Sequence, residues 1–107
     1  MFIPADIREI LEHRHRGMKG AAREEALAFA LKGAYYKRAS EKIQDLNFHD
    51  CRVYYGQKAV KAKISLRCAK LAMAVVRGTI KTWDGLLGEL DDWIYMDRQA
   101  IRKGVIA

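Results

Sequence analysis

From Tyr55 to Ile80 the chain places an apolar residue at alternating steps of four and three: Tyr55, Ala59, Ala62, Leu66, Ala69, Met73, Val76 and Ile80. That spacing keeps one side of a 3.6-residue helix apolar, whereas a strand would scatter it over both faces. A second row, Val53, Val60, Ile64, Cys68, Leu71 and Val75, runs along nearly the opposite side. The pattern predicts a helix over residues 51–78, reaching toward Lys81. A helix apolar on two sides is normally packed on two sides. It is therefore expected at the centre of a bundle, or sharing one side with a second subunit, and the alanines of the first row would admit a close neighbour.

The rest of the chain reads the same way. The single proline is Pro4, and no β-branched run, repeat or low-complexity stretch breaks the helical pattern. A first helix is expected over residues 5–16, with Pro4 at its entrance, Asp6 and Glu9 as a capping box, and Ile3, Ile7, Ile10 and Leu11 on one face. A second is expected over residues 21–46, burying Leu27, Leu31, Ala34, Tyr35, Ala39, Ile43 and Leu46. Residues 47–50 read as a turn with Asp50 as the next N-cap. A last helix over residues 84–103 would bury Leu86, Leu87, Leu90, Ile94 and Ile101 and stop at Gly104. The expected fold is all-α: a single domain over residues 1–107, a bundle of about four helices with a long central third.

A chain of 107 residues has room for one core that needs neither metal nor disulfide. Cys51 and Cys68 stand in no CxxC and fall too far apart along one expected helix to bond, so they read as free thiols of a reducing compartment. No apolar stretch reaches the roughly 18 residues of a transmembrane helix. The first residues have neither the basic segment nor the apolar run of a signal peptide. A cytoplasmic location is the expectation.

Charge is what points to function. The net charge is +7, and residues 51–83 hold eight basic side chains and no acidic one. Residues 1–50 are nearly balanced, with nine basic and eight acidic, and residues 84–107 carry three basic and five acidic. Wound at roughly 100° per residue, Arg52, Lys63, Arg67, Lys70, Arg77 and Lys81 share an arc of about 80°. On one straight helix the row would run roughly 44 Å. Lys58 and Lys61 lie off the arc as auxiliaries. Like charges at these spacings repel, and no acid within the segment relieves them. An anionic partner would.

The expected function is therefore non-catalytic binding of nucleic acid by contacts to phosphates, which fix position without reading sequence. Tyr35, Tyr36, Tyr54 and Tyr55 offer rings for base stacking, though at helical spacing they read first as core and rim. The alternative is a small helical regulator or inhibitor that docks its basic face on an acidic protein, with Trp83 or Trp93 as anchors. Self-association through one apolar row is a further reading. A membrane surface is disfavoured because both flanks of the third helix are expected to be packed. All of this requires residues 51–81 to form one continuous helix whose cations stay free of the protein's own carboxylates. Glu89, Asp91 and Asp92 of the last helix are the acids placed to neutralise them.

No catalytic constellation stands out. Ser40 and Ser65 have no histidine at helical reach, and His13 and His15 point to different sides of a helix. His49 beside Asp50 and Cys51 is the nearest approach to a Cys–His pair, by sequence alone. Asp91, Asp92 and Asp97 lack the spacing and glycine of a calcium loop, and no glycine-rich phosphate loop occurs. No metal or cofactor is expected.

Overall fold

The structure, a computed structural model, describes residues 20–104. They form four α-helices, α1 (Gly20–Lys42), α2 (Phe48–Gly56), α3 (Lys58–Val76) and α4 (Trp83–Arg102), with no strand among them. The helix expected over residues 5–16 and the tail beyond Gly104 lie outside the described residues. None of the four helices is long and apolar enough to cross a membrane.

The expected seam of α4 is buried, and that of α1 is buried as far as Ala39; Ile43 and Leu46 lie past its end and are half-buried. Leu27, Leu31, Ala34, Tyr35 and Ala39 of α1 meet Leu86, Leu87, Leu90, Ile94 and Ile101 of α4 and the inner face of α3 in one core. α1 stops four residues short of the expected end. Arg98 of α4 donates a hydrogen bond to the Lys42 carbonyl, satisfying one of the carbonyls a helix leaves open at its C-terminus, and pairs with Asp45 just beyond. Asn47, rather than Asp50, caps α2: its side-chain oxygen accepts from the Asp50 N–H at 3.0 Å. Thr82 caps α4 in the same way on Gly85 at 3.1 Å.

The long third helix is divided. Gln57 leaves helical geometry (φ −73, ψ 138), so Cys51 and Tyr54 belong to α2 and Lys58 onward to α3. The reason lies in phase. On one unbroken helix Cys51 and Tyr54 would face roughly a quarter-turn away from Val60, Ile64, Cys68 and Val75. All six are buried, and the break at Gln57 re-aims the first pair inward. Gly56, a weak helix former, precedes the break. Val53, which continues the Val60 row on paper, is 36% exposed. α3 itself ends where Gly78 takes φ 82, a conformation that favours glycine.

Among the described residues α3 is packed on one side. Its packed neighbours are α1, most extensively, and α2. The row Val60, Ile64, Cys68, Leu71, Val75 is buried, whereas Ala59, Ala62 and Ala69 of the other row are exposed and Leu66 is 57% exposed. Among the described residues the bundle covers one side of α3 and leaves the other open.

At the middle of the bundle sits a carboxylate sealed from solvent. Asp97 of α4 is 0% exposed. It accepts hydrogen bonds from the Tyr35 hydroxyl at 2.5 Å, the Tyr54 hydroxyl at 2.9 Å, the Tyr55 hydroxyl at 3.2 Å and Arg67 Nη1 at 3.1 Å. Arg67 Nη1 also donates to the Tyr35 hydroxyl at 2.7 Å, and its guanidinium lies 5.8 Å from the Trp93 ring centroid. Every helix contributes to this cluster. Burial, and then Asp97, push the Tyr35 and Tyr54 phenols far above the ordinary value, and Tyr55 follows for the same causes.

Two predictions follow from this cluster and its flanking ion pairs. Asp97→Ala strands three hydroxyls and a buried cation and is expected to cost about 3–5 kcal/mol, a large part of a small domain's stability. Tyr35→Phe is expected to cost about 1–3 kcal/mol. Urea unfolding checks both, and an unchanged midpoint for Asp97→Ala would show that the cluster does not hold the bundle. The pH response has two limbs. The folded phenols keep their protons more tightly than the unfolded chain, where the value is 10.0, so their contribution is complete below pH 10 and lost as pH rises past it. Arg98 holds Asp45 down to about 2, so its contribution is present above the ordinary 3.8 and lost as pH falls toward 2. Thermal melts across pH read both limbs, and Asp45→Asn removes its share of the acid one.

Candidate functional site

α3 begins with an electrostatic peculiarity. Gln57 makes no side-chain cap bond, and the first turn holds no acid but does hold Lys58 and Lys61. A helix N-terminus already carries partial positive charge, so cations there are locally unfavourable and together attract anions. Farther along, Lys63 and Lys70 are exposed and sit seven residues apart on the same outward edge. Arg77 is the C-cap residue, and Lys81 lies in the turn before α4; both are exposed.

The structure thus brings together Lys63, Lys70 and Arg77 on one edge of α3, with Lys81 just past its end. None of the four, nor Lys58 or Lys61, has an ion pair among the described residues. Two members of the expected row are lost to it. Arg52 lies on α2, beyond the break, where it is exposed with its guanidinium 5.7 Å from the Phe48 ring centroid. Arg67 turns inward to Asp97, and its side chain is only 14% exposed. It is a structural residue because it lies on the border of the buried row, where its long stem reaches the core.

The acids expected to neutralise the row do not reach it. Asp91 is gripped by Arg38 of α1 through two bonds of 2.5 and 2.9 Å, and this pairing lowers the Asp91 carboxyl. Asp45 takes Arg98 at 2.7 Å and Arg102 at 3.6 Å. Glu89 and Asp92 are exposed and without an ion pair among the described residues. The carboxylate that does claim a member of the row is Asp97.

The remaining sequence candidates are mostly used by the fold. Tyr35 and Tyr54 are buried with their hydroxyls on Asp97, Tyr55 is half-buried, and Tyr36 alone of the four is exposed. Trp83 and Trp93 are half-buried against the core, so neither stands out as an anchor. Burial raises the Cys51 thiol, and Asp50 adds to it, the reverse of an activated nucleophile. Ser40 donates to the Lys37 carbonyl at 2.7 Å. No group of three His, Cys, Asp or Glu side chains among the described residues could hold a metal.

One residue was missed. Arg23 of α1 lines a concavity of about 340 Å³ together with Val75, Val76, Arg77, Gly78, Ile80 and Lys81. The sequence carried a faint signal for it: Arg23 occupies the start of a helix, where the macrodipole disfavours a cation.

The split between structural and outward cations is testable by stability alone. Arg67→Gln is expected to destabilise by several kcal/mol, since it leaves Asp97 buried without its counterion. Lys63→Gln and Lys70→Gln are expected to fall within about 0.5 kcal/mol of wild type. Equal effects at all three would contradict the placement of Arg67. Compared with known protein families, characterised proteins and solved structures, the chain matches none.

Proposed function

We propose that this chain is a non-catalytic nucleic-acid-binding protein that holds phosphates with Lys63, Lys70, Arg77 and Lys81, assisted by Lys58 and Lys61. One observation carries the reading. These side chains are exposed and free of ion pairs among the described residues, while Asp45, Asp91 and Asp97 are committed to arginines elsewhere. Cations on an open edge release condensed counterions from a phosphate backbone when they bind it, and such contacts carry no base sequence. The footprint is shorter than a continuous helix would give, because α3 spans 19 residues, about 28 Å.

A second reading has its own support. Leu66, 57% exposed, and the exposed Ala59, Ala62 and Ala69 lie beside Lys63 and Lys70. An apolar ridge edged by lysines suits an acidic, amphipathic helix of a protein partner. Self-association through the same ridge would set Lys63 and Lys70 against their own copies unless the pairing were offset.

The test is binding to mixed-sequence DNA and RNA across a salt series. Four phosphate contacts predict a slope of log K against log salt of roughly −3 to −4. Lys63→Glu with Lys70→Glu should abolish binding and leave the circular dichroism spectrum intact. Binding that survives the double reversal removes this edge as the site. Absence of salt-dependent binding by the native chain favours the protein partner, and a size-exclusion mass above that of one chain favours self-association.

A further inference from the structure

The row of cations on α3 does not simply end. It runs into the concavity of about 340 Å³ between the start of α1 and the end of α3, where Arg23, Arg77 and Lys81 converge from parts of the chain more than fifty residues apart. Val75, Val76 and Ile80 form its apolar wall. Three cations in one concavity repel each other. Among the described residues none of the three has an ion pair, and the Arg23 Nε is buried with no hydrogen-bond partner. An anion seated in the concavity would relieve the repulsion among the three side chains.

The helix ends strengthen this. Arg23 sits in the first turn of α1, a turn without an acid, and adds its charge to the positive end of that helix; Glu24 and Glu25 follow it but do not line the pocket. The opposing carbonyls at the end of α3 are occupied: Met73, Ala74 and Val75 accept from the backbone N–H groups of residues 77 to 80. Gly78, at φ 82, makes the turn that carries Lys81 back over the pocket, and a Cβ placed on it would lie 4.0 Å from the Lys81 Cε.

We infer that this pocket captures a phosphomonoester, the terminal phosphate of a nucleic-acid strand whose internal phosphates lie along Lys70 and Lys63; the inference rests on the nucleic-acid reading. The chemistry distinguishes the two kinds of contact. An internal phosphodiester carries one negative charge and suits single cations spaced along a helix edge. A terminal phosphate carries about −1.5 to −2 charges and three acceptor oxygens, and needs several cationic donors gathered at one point. The edge of α3 offers the first arrangement and the pocket offers the second, with Arg77 at the junction. The apolar wall suits the sugar edge next to the phosphate.

The experiment measures the affinity of the intact chain for oligonucleotides identical except for the terminus: 5′-phosphate, 3′-phosphate or hydroxyl at both ends. One phosphorylated form is expected to bind about tenfold more tightly than the hydroxyl form. Arg23→Gln should erase that preference while retaining the salt-dependent binding of the hydroxyl form, and Arg23→Lys, which keeps the charge and loses the forked donors, should reduce the preference if Arg23→Gln does not fold. Lys63→Glu with Lys70→Glu should weaken all three forms. Equal affinity for all termini overturns the pocket assignment and leaves the phosphate-backbone reading standing. Failure of the native chain to bind any of the three forms overturns both. A phosphoserine peptide that outcompetes the phosphorylated strand would overturn the assignment to a nucleic-acid end.

Discussion

A carboxylate removed from water must be met on nearly every lone pair, or its burial unfolds the protein around it. Asp97 meets that demand with three phenols and a guanidinium drawn from α1, α2 and α3. Apolar packing alone tolerates sliding and rotation of helices by a residue or so, because alanine and leucine rows are nearly interchangeable partners. Four directed bonds to one side chain do not. The cluster therefore fixes which rotation of each helix is native. It also explains the interruption at Gln57: α2 must present Tyr54 and Tyr55 to α4 while α3 presents Val60, Ile64 and Cys68 to α1, and one straight helix cannot do both.

The same constraint sets what the sequence disclosed. The seams of α1 and α4 were legible because burial imposes a period of 3.6 on residues that are consecutive in the chain. The division of the third helix was not, because Val53 stays in phase with Val60 and lets the row look unbroken; only Cys51 and Tyr54, a quarter-turn off, contradicted it. Asp97 was invisible for a different reason. Its partners lie 62, 43, 42 and 30 residues away, and no local pattern records a meeting at that distance. By its spacing it was only one of three acids, with Asp91 and Asp92, that lack the pattern of a calcium loop.

The basic row was partly legible for the same reason. Net charge and the lack of acids between Cys51 and Trp83 are properties of the chain alone, and Lys63, Lys70, Arg77 and Lys81 stand where counting at helical spacing puts them. Which member faces inward is not such a property. Arg67 lies at one margin of the arc, nearest the buried row, and its bond to Asp97 and the Trp93 ring beside it decide its direction. The apolar row through Leu66 marks a helix side suited to being covered, by a second subunit or by another part of the chain, and the described residues leave it open.

Residue type explains how the cations divide between structure and surface. Arginine supplies the cation in Arg38–Asp91, Arg67–Asp97, Arg98–Asp45 and Arg102–Asp45. A guanidinium offers a fixed fork of donors, stacks on aromatic rings and is weakly hydrated, so it can be partly buried beside a carboxylate at moderate cost. An ammonium is strongly hydrated and loses more when it leaves water. The lysines of residues 58–81 consequently remain outside, where a partner's phosphates or carboxylates would meet them. Pairing Asp45, Asp91 and Asp97 with arginines has a second effect: it keeps those carboxylates from neutralising the lysines of α3. The packing that holds the helices together and the positive field over α3 thus come from one distribution of charge.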